Sequence, residues 1–103
     1  MLVTKKYQKD DIVSFKLVNG DEIVAKIIEE TETEFEISKP CSVMPTQHGI
    51  GLMQSLITSE IDRSIMLKKQ HVMMVAPTVN DIKNHYIATT TGIEPVAAGG
   101  IIV

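Results

Sequence analysis

Asn19-Gly20 lies between two stretches in which apolar and polar residues alternate, and two such stretches joined by a turn signal fold as a β-hairpin. On the first, Val13, Phe15 and Leu17 share one face and Ser14 and Lys16 the other. On the second, Ile23, Ala25 and Ile27 share a face. A two-residue loop would set Ile23, Ala25 and Ile27 on the face opposite Phe15, because a slip of one residue turns a whole strand over. A three-residue loop, Val18-Asn19-Gly20, with Gly20 left-handed in a bulge, instead pairs Leu17 with Asp21, Phe15 with Ile23 and Val13 with Ala25. It also sets Lys16 across from Glu22.

The same reasoning predicts further short strands. Phe35 and Ile37 resume the alternation after the run Glu29-Glu30-Thr31-Glu32-Thr33-Glu34, which reads as a solvated turn. Pro40 has no N–H for a ladder and marks an edge or a bend. Pro45 to Gly51 reads as a loop from its Pro and Gly content. Strands are then expected over Leu52 to Thr58, Ser64 to Lys69 and Val72 to Ala76, with Pro77 closing the β region. Five or six short strands with tight turns make a small barrel or sandwich. Thr78 with Asp81 resembles a capping box, predicting a short helix with Val79, Ile82 and Tyr86 on one face and a stop at Gly92.

A chain of 103 residues supports one core. With only Tyr7, Phe15, Phe35 and Tyr86 as aromatics, that core is aliphatic, and Met66, Met73 and Met74 are expected to fill it or a seam between subunits. The lone Cys41 is expected to be a small buried apolar side chain. No apolar run is long enough for a membrane span and the first residues lack a signal-peptide core, so a soluble cytoplasmic protein is expected. His48, His71 and His85 have no metal-ligand spacing, so neither metal nor cofactor is expected. Gly49-Ile50-Gly51 lacks the lysine of a phosphate-binding loop. With no acid/base pair or nucleophile constellation, the chain is not expected to be an enzyme.

Two stretches together resemble the Sm-like family. Val13 to Gly20, continuing to Ile23, Ala25, Ile27, Phe35 and Ile37, looks like its first three strands. Ser64 to Thr78 is similar to the last two strands of its bacterial Hfq-type members, where a Lys-His turn joins the strands and a proline ends the barrel. The resemblance implies a strongly bent five-stranded antiparallel barrel over residues 1–78 with an N-terminal arm, followed by a short helix over 79–91 and a tail over 92–103. A helix after the barrel, with little room for one before it, is similar to Sm-like proteins of marine phages, which would place the chain in a host cytoplasm. The resemblance also implies a homo-oligomeric ring of about five to eight copies joined edge to edge.

RNA lies on the ring face in this family, and Lys68, Lys69, Gln70 and His71 are the candidate contacts: lysine supplies charge, and glutamine a paired donor and acceptor. Since the net charge is −3, any RNA site must be local. The chain departs from the pattern at Ala25, where a family glycine eases the bend, at the Glu/Thr run, which replaces a uridine-binding loop, and at Gln70, where the Hfq-type histidine falls. Lys5, Lys6 and Lys9 read as a solvated arm. The other expectation is an oligomeric structural or adaptor protein, for example in a phage assembly, that contacts proteins and no RNA.

Overall fold

The computed structural model describes residues 6–60 and 62–91. It is mainly β: β1 (Ile12–Leu17), β2 (Glu22–Glu30), β3 (Glu34–Thr46), β4 (Gly49–Gln54), β5 (Ser64–Lys68) and β6 (Val72–Pro77), then one helix, α1 (Asn80–Thr91). A single 3-10 turn, Lys69–His71, joins β5 to β6. The strands form one antiparallel sheet in the order β4-β3-β2-β1-β6, with β5 also paired to β3.

The first hairpin takes the register that the apolar faces demand. Phe15 faces Ile23, Val13 faces Ala25 and Lys16 faces Glu22. The Leu17 amide donates to the Asp21 carbonyl at 2.8 Å, the Gly20 amide to the Leu17 carbonyl at 2.9 Å, and Gly20 has φ +97°. Asn19 holds the turn by accepting from the Asp21 amide at 3.0 Å. A Cβ added at Gly20 would meet nothing within 4 Å, so a substitution there costs backbone strain alone. Gly20→Ala is therefore expected to lower stability by about 1–3 kcal/mol, read as a lower urea midpoint at unchanged m-value.

β3 is bent rather than an edge. Its first half pairs with β5 (Glu34 to Ser38) and its second half with β4 (Cys41 to Thr46), while β2 lies along the other side. The partners change at Lys39, which has φ +50°, and at the buried Pro40. Opposite this bend, the β2 register shifts between Val24 and Lys26, so the irregularity falls at Ala25.

Strand parity divides the core in two. On one face of the sheet Val13, Phe15, Ile23, Ala25, Ile27, Phe35 and Ile37 pack together, with Phe15 and Phe35 edge to face at 5.0 Å. On the other, Ile12, Val24 and Cys41 are covered by Tyr86 of α1. The Tyr86 hydroxyl reaches the Ser38 and Lys39 carbonyls at the bend, at 3.0 and 2.8 Å. Burial pushes the Cys41 thiol up to about 11, so it is a protonated packing group at neutral pH.

Several expectations need correction. Among the described residues there are six strands, within the five or six that the alternation predicts but one more than the five-stranded barrel the resemblance implies, and the sheet is not closed, since β5 pairs with β3 and β6 with β1. Pro45 to Gly51 is not a loop: β3 runs to Thr46 and β4 starts at Gly49, with only Gln47-His48 as the turn and Gly49 at φ +122°. Pro45 is tolerated there because β2 pairing ends at Ser42, leaving it, among the described residues, a strand neighbour on one side only. The strand expected over Leu52 to Thr58 stops at Gln54, whose side-chain amide ties the following turn by donating to the Leu56 carbonyl at 2.9 Å. The expected β5 segment ends one residue early, at Lys68.

Thr78 is not a helix cap. Its hydroxyl is hydrogen-bonded to that of Ser14 at 2.8 Å, and α1 starts at Asn80. Val79 leaves the expected apolar face and is exposed; Ile82, Tyr86 and Thr90 form the inward face instead. The methionines Met66, Met73 and Met74 do not fill the core of the single chain but stand exposed on β5 and β6. The helix stop at Gly92 and the tail lie outside the described residues, as does Lys5.

Candidate nucleic-acid interface

Lys68, Lys69, Gln70 and His71 are brought together where β5 turns into β6. Two backbone bonds fix the turn from opposite sides. The Lys69 amide donates to the Thr33 carbonyl at 2.9 Å, and the Val18 amide of the first hairpin donates to the His71 carbonyl at 2.9 Å. Its backbone is thereby anchored to both the β2–β3 connection and the β1–β2 connection. Leu17 faces Val72 just beyond it.

The two lysines are not free cations. Lys68 Nζ lies 3.1 Å from Glu34 Oε2 and Lys69 Nζ 2.7 Å from Glu30 Oε2. The first pair is largely exposed and contributes at most about 1 kcal/mol. The second is more enclosed, with the glutamate side chain only 11% exposed. Lys69 Nζ also sits 5.0 Å from the centre of the Phe35 ring, a cation–π contact. Glu30 accepts in addition from the Tyr7 amide at 2.8 Å, which ties down the N-terminal arm. Burial alone would raise the Glu30 carboxyl, but the bonds from Lys69 and Tyr7 and the charges of Lys69 and Lys6 outweigh it and hold the group below the usual carboxylate range.

Gln70 and His71, by contrast, are exposed. Their side chains make no protein hydrogen bond among the described residues, which leaves the amide and imidazole available to a ligand. The Glu/Thr run is thus only partly the solvated turn expected. Thr31 to Thr33 turns the chain, while Glu30 and Glu34 belong to β2 and β3 and hold the lysines. Glu36, next on the same side of β3, accepts from Ser64 at 2.7 Å.

The ion pairs link residues 34 and 39 positions apart, beyond any local motif. The signal that could have revealed them is the every-second-residue placement of Glu34 and Glu36 once β5 is laid beside β3, where Glu34 falls opposite Lys68.

His48, His71 and His85 occupy the β3–β4 turn, the β5–β6 turn and α1 and do not form a cluster. Among the described residues no three His, Cys, Asp or Glu side chains are placed to hold a metal ion. No helix among them is long and apolar enough to cross a membrane. In comparison with known proteins, no family model matches the chain and no curated protein is significantly similar to it.

Proposed function

We propose that this chain is a ring-forming protein of the Sm-like kind, in which copies join β5 of one to β6 of the next and single-stranded RNA meets the Lys68–His71 turn. The observation that carries the reading is the pair of open edges on either side of that turn. Among the described residues β5 has a strand neighbour only in β3 and β6 only in β1, and Met66, Met73 and Met74 stand exposed on these two strands at 49, 60 and 59%. An apolar, unpaired edge is an aggregation hazard that closed pairing between copies removes. The strand–turn–strand order and the bend at Ala25 and Pro40 support the family assignment.

A ring would bring several copies of Gln70 and His71 around one axis, so weak contacts to single bases would add. Gln70→Ala and His71→Ala, both at exposed positions, are expected to weaken binding of single-stranded RNA about 2–10-fold each while leaving the assembly intact. Unchanged affinity in both variants would remove the turn as the site.

The specific observation favouring a protein-contacting adaptor is that Lys68 and Lys69 already hold Glu34 and Glu30. Titration of the purified protein with poly-U, poly-A and mixed-sequence RNA at two salt concentrations separates the readings. Saturable binding supports the first, and none at low salt leaves the adaptor.

A further inference from the structure

We infer that Glu30 and Glu34 are specificity-determining residues that neutralise the turn, so that it takes unpaired bases by their edges and leaves the phosphates to solvent. The inference rests on the RNA reading above and concerns what part of a strand the site recognises. Each lysine that could meet a phosphate has a carboxylate within 3.1 Å. Lys69 is held further by the ring of Phe35, and its carboxylate partner is anchored by the Tyr7 amide, so the enclosed pair cannot swing outward without breaking both of these contacts.

Glu29, Glu32 and Glu36 lie in or beside the same hairpin, making this end of the sheet acidic even with both lysines counted. A phosphodiester approaching Lys68 therefore meets Glu34 at the same time, and like charge repels it. Gln70 carries no charge and offers both donor and acceptor, matching a base edge. The ligand class implied is a single strand read through its bases, with little release of counterions on binding.

Salt dependence tests this directly. Each lysine–phosphate contact on a single strand adds about 0.7 to the slope of log affinity against log salt, which is about 2.6-fold between 50 and 200 mM. The wild-type protein is expected to lose less than about twofold over that range, below the loss that a single lysine–phosphate contact would give. It should not bind an abasic phosphodiester strand of the same length. Glu34→Gln removes the charge beside the exposed Lys68 while keeping the side chain's size. It should steepen the slope by about 0.7 for each lysine that reaches phosphate, and give measurable binding to the abasic strand. Lys68→Ala in the wild-type background should leave the slope as it was.

A steep wild-type slope, or a Glu34→Gln protein indistinguishable from wild type on both strands, would overturn the inference and leave the RNA reading standing. No binding of wild type or Glu34→Gln to any RNA at low salt would remove that reading and the inference with it. Circular dichroism confirms that each variant is folded.

Discussion

Tyr86→Ala is expected to release α1 from the sheet and lower stability by about 3–5 kcal/mol. Tyr86 is 1% exposed and is the main side chain by which the helix covers Ile12, Val24 and Cys41. Its hydroxyl also shares its one proton between two carbonyls at the β3 bend, where Lys39 takes a positive φ and Pro40 has no amide to give. A helix of 12 residues is marginal by itself, so α1 persists because of this packing. Loss of helical circular dichroism and fast amide exchange in α1 would accompany the fall in urea midpoint. Tyr86→Phe separates the contributions: it keeps the ring and removes the two hydrogen bonds, at about 1–3 kcal/mol. A Tyr86→Ala protein with wild-type midpoint and protected helix amides would refute the role given to this residue.

Phe15→Ala should cost a similar amount, about 3–5 kcal/mol, but act on the whole sheet. Phe15 is fully buried on β1, the strand flanked by β2 and β6, and faces Ile23 on one side and Val75 on the other. Its ring meets that of Phe35 at 66°, and Phe35 in turn lies under Lys69. The cavity therefore opens beneath the β5–β6 turn as well. The expected result is a single cooperative unfolding transition shifted to lower urea, with no separate helix step. Phe15→Leu, closer in volume, should recover most of the loss.

These two residues also mark what the sequence reveals and what it hides. Phe15 follows from parity alone: the alternation on both sides of Asn19-Gly20 assigns Val13, Phe15, Ile23, Ala25 and Ile27 to one face, and a Gly-bulged loop is the connection that keeps them together. Tyr86 follows from helical spacing, although the same spacing wrongly included Val79, because the helix starts only at Asn80. Thr78 was available as a cap in sequence but bonds Ser14, 64 residues away, and a local motif cannot anticipate such a partner.

Pro45, Gly49 and Gly51 look like loop residues by type, yet a strand with one free side accepts a proline and a tight turn needs a glycine at positive φ. At the candidate site, the grouping of Lys68 to His71 is a property of adjacent residues and so was legible. The neutralisation of its lysines was not, since it depends on strand neighbours far away in the chain. The exposure of Met66, Met73 and Met74 was equally hidden: β periodicity places side chains on faces, and it does not say which strand edges a second copy would cover.

The proposed ring rests on the open edges of β5 and β6, and the molar mass of the purified protein in solution tests it most directly. Light scattering coupled to size exclusion should give a single species at a whole-number multiple of 11.4 kDa, about five to eight copies, unchanged on dilution through the micromolar range. A monodisperse monomer of 11.4 kDa at the same concentrations would contradict the ring and the proposed role of β5 and β6 in joining copies.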